Sequence, residues 1–131
     1  MEWINGKLHL TIKGQPVSMK NSRKIIFQYV KGRKILRIIK GDKAQSYALS
    51  IERQVPILRR RIKGPIRIFV KAFYPDRRQD LDCELIFDAL EKRIYVNDRQ
   101  LQEKFLYRAI DKQNPRAEIV IEPLEPELNL C

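Results

Sequence analysis

Sulfur and imidazole are scarce in this chain: two cysteines, Cys83 and Cys131, and one histidine, His9, among 131 residues. With no CxxC pair and a single distant histidine, neither a disulfide framework nor a Cys/His zinc centre can be assembled, and both thiols are expected to be free. Long apolar runs are missing as well. The longest, such as residues 25–27 and 85–87, fall far short of the ~18 residues that span a bilayer, so no membrane partner is expected. The N-terminal MEWINGKLHL carries an early glutamate and no apolar stretch of signal-peptide length, which argues for a cytoplasmic protein. Acid is short in the first half: residues 1–75 hold 18 Lys and Arg against Glu2, Asp42 and Glu52, a net of +15, whereas 76–131 hold nine against thirteen, a net of −4. A basic field of that size concentrates polyanions, and nucleic acid is the commonest partner for it.

What is present suits one domain. A chain of this length buries about two-thirds of its unfolded surface, enough to carry a site on a stable core. KLHLTIKG (7–14) alternates Leu8, Leu10 and Ile12 with polar residues, a half-buried strand that leaves His9 on the polar side as a surface residue. Residues 15–24 form a polar loop, and 25–39 read as a hairpin turning near KGRK. Ala44, Tyr47, Ala48, Ile51, Val55 and Leu58 recur at helical spacing, with Asp42 as a cap and a kink or restart near Val55 imposed by Pro56. RRRIK (59–63) then suits a helix C-terminus, and phosphate contact there is an equal alternative. PIRIFVKAFYP (65–75), apolar on both faces, reads as a central strand. A second helix follows with Leu81, Leu85, Ile86, Ala89 and Leu90 as its buried stripe, and two strands at 104–111 and 116–123 complete a mixed α/β (α+β) fold: one compact domain, a mixed sheet and two main helices. The domain is expected over 1–122, with 123–131 a flexible tail.

Against this basic background, DRRQDLDCELIFDAL (76–90) gathers five acids. Asp80 and Asp82, two apart in an extended stretch, point the same way, and a loop returning after the helix is expected to bring Asp98 to them. Three such carboxylates repel unless a divalent ion sits among them, and Mg²⁺ held by carboxylates, waters and a phosphate oxygen is the usual arrangement for phosphoryl transfer, with Mn²⁺ a substitute. Glu84 could reach the same ion. Asp80 or Asp82 could instead cap the helix, and Asn97-Asp98 could be only a turn signal.

PDRRQDLD, then FDAL, then VNDRQL resemble the RusA family of Holliday-junction resolvases, and GQPVSMKNSRKI resembles the loop near the start of its phage-type members; the likeness spans roughly 14–122. The resemblance implies a small α/β homodimer that cuts four-way DNA junctions symmetrically with Mg²⁺, in recombination and repair, with Asp80 and Asp82 as the DxD aspartates and Asp98 as the third. The sequence departs from the family pattern in two places: Cys83 stands where an Asn is usual, and the lysine shortly beyond has no counterpart. Lys92, Lys20 or Arg78 could supply that charge from elsewhere, and the sequence does not choose among them. Lys20, Arg23, Lys24, Arg77, Arg78 and Arg99 are expected to hold backbone phosphates without reading sequence. A junction-binding protein of the same fold that has lost cleavage, or a flap or fork nuclease, is the alternative reading.

Overall fold

The computed structural model describes residues 1–19 and 23–124, apart from the side chains of Arg23, Lys24 and Lys40. Most of the expected tail, 125–131, lies outside the described residues. In chain order the elements are β1 (Glu2–Ile4), β2 (Lys7–Lys13), β3 (Arg23–Val30), β4 (Arg33–Lys40), α1 (Asp42–Gln54), β5 (Ile66–Tyr74), α2 (Glu84–Leu90), a 3₁₀ turn (Asp98–Gln100), β6 (Leu101–Ile110) and β7 (Arg116–Pro123). Five strands form a mixed sheet in the order β1-β2-β7-β5-β6, in which only β5 and β6 run parallel, joined by the crossover that contains α2. The chain is therefore a single α+β domain with two helices, as its patterning implies.

Period-two alternation sets which face of the sheet is dry. Leu8, Leu10 and Ile12 of β2, Ile66, Ile68, Val70 and Ala72 of β5, and Ala117, Ile119 and Ile121 of β7 are all buried. Each large side chain among them contributes roughly 1.5–3 kcal/mol relative to exposure. Ala44, Tyr47 and Ile51 of α1 join the same cluster, as do Leu85, Ile86, Phe87 and Leu90 of α2. β5 is central, as its two-sided apolarity implies, lying between β7 and β6. On the opposite face Phe69 stacks on Phe105 at 4.8 Å, and the Arg116 guanidinium sits 3.8 Å from the Phe73 ring centre.

Two expectations about the first helix are corrected. Gly41, not Asp42, is the N-cap; Asp42 is the first helical residue. The helix stops at Gln54 rather than kinking and restarting, because Val55, preceding Pro56, is extended at φ −112°, ψ 111°. RRRIK consequently does not end a helix: it lies in an irregular segment that touches Tyr95 through a single parallel bridge from Ile62.

β3 and β4 form a separate two-stranded sheet. Its turn residues Lys31 and Gly32 have φ of 53° and 79°, a pair of left-handed conformations that matches the twist of a tight hairpin and that glycine adopts without penalty. No helix among the described residues is long and apolar enough to cross a membrane.

Candidate active site

The chain leaves β5 at Tyr74, whose buried hydroxyl donates to the Asp80 carbonyl at 3.0 Å and fixes the path into α2. Asp82 lies just before that helix. It is 8% exposed, the one charged side chain buried among the described residues. Burial of a carboxylate is tolerable only when donors replace its water, and here at least three do. Oδ2 accepts from Ser18 Oγ at 3.0 Å and from the Met19 amide at 3.1 Å, and Oδ1 accepts from the Glu84 amide at 3.0 Å. Asp82 thus joins the 15–19 loop to the first turn of α2, although Cys83 is the formal N-cap. Neither the serine nor the methionine amide was foreseeable as a partner, since Ser18 and Asp82 stand 64 residues apart.

Asp80 is exposed and lines a cleft of about 190 Å³ with Ser18, Gln79 and Lys43. Lys43, the second residue of α1, is a cation in a first helical turn, where the backbone dipole disfavours it, so helix stability does not account for its presence. Sequence reasoning missed it because its relation to Asp80 is made by packing α1 beside the 15–18 loop. Cys83 is buried and free, its thiol pushed up to about 12 by burial and then by the charges of Asp82 and Glu84.

The other end of α2 is organised differently. Tyr95 is fully buried and donates from its hydroxyl to the Phe87 carbonyl at 2.6 Å, while the Lys92 amide donates to the Tyr95 carbonyl at 2.6 Å. Burial first, then the nearby charges of Asp98, Glu91, Asp88 and Glu84, pushes the Tyr95 hydroxyl far above its ordinary value. Asp98 follows in the 3₁₀ turn, capped by Asn97 and Gln100, with its amide donating to Glu91 Oε2 at 2.9 Å. The expected return of Asp98 to the DxD pair is therefore corrected. Asp82 precedes the first residue of α2, whereas Asp98 is held by Glu91 just past its end, so about 10 Å of helix lies between the two anchor points. The register agrees: Leu101, three residues on, pairs with Ile66 at the start of β5, whereas Asp80 and Asp82 follow its end. Among the described residues no three His, Cys, Asp or Glu side chains assemble as a metal-binding group.

The family model of the RusA endodeoxyribonucleases matches residues 13–122. The chain belongs to this family. No curated protein matches it. The RusA assignment makes the chain one of a family of endodeoxyribonucleases, and the match begins at Lys13 and takes in both the loop tied to Asp82 and the Asp98 turn.

The remaining expected RusA-type site residues are dispersed. Lys92 is not on α2 but beyond its end, at φ 69°; its carbonyl accepts from Arg61 Nη1 at 2.8 Å, and it lines a cleft of about 790 Å³ with Arg59, Arg60, Arg61 and Lys63. That basic cleft does not include Asp80, whereas the cleft that Asp80 lines includes Lys43. Glu84 is exposed on the first turn of α2, beside Asp82. Arg77 is exposed, and Arg78 pairs with Asp76 at 3.2 Å while staying largely in solvent. Arg99 lines a third cleft with Arg67 and Glu103, at the start of the β5–β6 pair. Arg23 and Lys24 open β3, and Lys20 lies outside the described residues.

Proposed function

We propose that this RusA-family protein is a Mg²⁺-dependent, structure-selective endonuclease that resolves four-way DNA junctions by paired incision, acting as a homodimer in DNA recombination and repair. The observation that carries the reading is the cleft in which Asp80 and Lys43 face a common space beside the fixed Asp82. The carboxylate in its lining is Asp80, an oxygen donor of the kind that suits a hard cation, and Mg²⁺ commonly uses only one or two carboxylates with waters and phosphate completing its shell. Asp80 and Asp82 would hold it, with Glu84 as the adjacent carboxylate. When bound, the ion supplies an acidified water and neutralises charge on the phosphate.

The chain's own residues do the rest. Ser18 and the Met19 amide hold the Asp82 carboxylate in one orientation, so it does not swing when DNA arrives. Lys43 presents an ammonium to the space where phosphate charge develops, the task that the absent family lysine would otherwise perform. Asp98 remains a site residue in this reading on its match to the family pattern rather than on the geometry of one chain. A four-way junction offers two equivalent strands, and a two-fold dimer supplies two sites in the matching relation. Purified protein with Mg²⁺ or Mn²⁺ is expected to nick opposing strands of a synthetic four-way junction in pairs, to spare linear duplex, and to stop in EDTA. Tight junction binding without incision under either metal would replace this reading with that of a binding protein, and equal cutting of flaps with that of a fork nuclease.

A further inference from the structure

The β3–β4 hairpin is the part of the fold that its own core does not explain. Directly opposed residues share a face, so Ile25 with Ile38, Phe27 with Leu36, and Tyr29 with Lys34 form one side of the ribbon. The five apolar and aromatic side chains of that side are 56–75% exposed. The other side is drier near its base, with Ile26 and Ile39 half-buried, and beyond each other the two strands approach chiefly α1. An isolated two-stranded ribbon is marginally stable in water, and five large apolar groups facing solvent on it call for an occupant.

Charge selects that occupant. Residues 23–40 contain seven lysines and arginines, namely 23, 24, 31, 33, 34, 37 and 40, and no acid. A second copy laid on the same ribbon would bring together two basic segments with no acid between them, whereas nucleic acid is attracted along the whole ribbon. Position agrees with charge. Arg23 lies four residues beyond Met19, whose amide holds Asp82, so the base of the hairpin starts within ~14 Å of that point. Strands of eight residues then span about 26 Å from that base. Exposed Phe, Tyr, Leu and Ile are the side chains that proteins stack on unpaired bases or wedge between base steps.

We propose that the β3–β4 hairpin is a DNA-contacting arm, in which Phe27 and Tyr29 pack against bases unstacked at the branch point while Lys34, on the same face with its ammonium 4.3 Å from the Phe27 ring centre, and Lys31 at the turn hold the flanking phosphates. The inference rests on the junction reading above for its substrate, and binding rather than cleavage tests it. The double variant Phe27→Ser, Tyr29→Ser in the full chain alters two exposed groups, so its circular dichroism and melting should match the parent. Junction affinity should fall tenfold or more and affinity for linear duplex by less than twofold, and the fluorescence change of 2-aminopurine at the branch point should disappear. Lys31→Ala with Lys34→Ala should lower the slope of log K against log salt by about two. Unchanged junction affinity and 2-aminopurine signal in the aromatic variant would overturn the proposal, as would an unchanged salt slope in the lysine variant. So would a fall in molar mass from dimer to monomer, which would give the apolar face to a second copy. Absence of cleavage by the unmodified protein would refute the nuclease reading alone, because none of these binding measurements depends on incision.

Discussion

The two ends of α2 hold aspartates in opposite circumstances. Asp82, before the helix, is buried and receives three hydrogen bonds on its carboxylate from two separate segments. Asp98, past the helix, is exposed and is tethered through its backbone amide to Glu91. One carboxylate is part of the architecture, and the other is carried by it. The difference separates two things that a single substitution usually confounds: at Asp82 loss of charge and loss of structure come together, whereas at Asp98 charge alone can be removed.

Substituting both aspartates is therefore the strongest way to break the comparison. Asp82→Asn keeps the shape but turns one acceptor oxygen into a donor, leaving at least one of the Ser18, Met19 and Glu84 donors without its partner. A stability loss of about 1–3 kcal/mol is expected from urea unfolding, together with a fall in junction cleavage of more than a hundredfold. Asp98→Asn should leave the unfolding midpoint unaltered while still reducing cleavage. Equal destabilisation by the two substitutions would erase the distinction between the ends of the helix, and undiminished cleavage by Asp98→Asn would remove that residue from the mechanism.

How much of this was legible in the sequence depends on whether a feature is local. The alternation of Ile66, Ile68, Val70 and Ala72 marks a buried strand because side-chain direction in a strand is fixed by the residue count, and the hairpin at Lys31-Gly32 follows from turn chemistry. Asn5-Gly6, with φ of 50° and 79°, closes the β1–β2 hairpin by the same signal, though no strand at residues 2–4 was expected. The DxD pair was legible as a unit for the same reason of local spacing. The position of Asp98 was not, because it depends on Tyr95 burying its ring under α2, on the left-handed Lys92 and on the Glu91 side chain, all of them tertiary choices. Lys43 was hidden similarly: it belongs to the cleft only once α1 lies beside residues 15–18.

That last point yields a sharper and smaller test. Lys43→Ala is expected to lower cleavage roughly ten- to a hundredfold at unchanged stability, as for loss of one donor at developing charge, while Lys92→Ala, in the basic cleft with Arg59, Arg60, Arg61 and Lys63, should leave the rate of incision within about twofold. The reverse ranking, read from single-turnover rates on a junction, would return the role of the missing lysine to Lys92 and detach the 190 Å³ cleft from catalysis.

The smallest expected effect concerns how dry the Asp82 end is. A thiol at the start of a helix is ordinarily acidified by the dipole, yet Cys83 is pushed the other way, to about 12, because burial outweighs that field and the Asp82 and Glu84 charges add to it. The native state thus keeps a proton that the unfolded chain releases above the ordinary thiol value of about 9. Stability from this source is complete below pH 9 and declines as pH rises from 9 towards 12. Tyr74, pushed up to about 12 largely by burial, adds to the upper part of the same decline, so the thiol's share is isolated by comparing the parent with Cys83→Ala. Urea midpoints at pH 8 and pH 10.5 should differ more in the parent than in the variant. At pH 8 a thiol reagent followed by peptide mapping should leave Cys83 unmodified until urea unfolds the chain. Rapid modification of native Cys83, or identical pH dependence in the two proteins, would mean that water reaches this end of α2 and that Asp82 is no better shielded than Asp98.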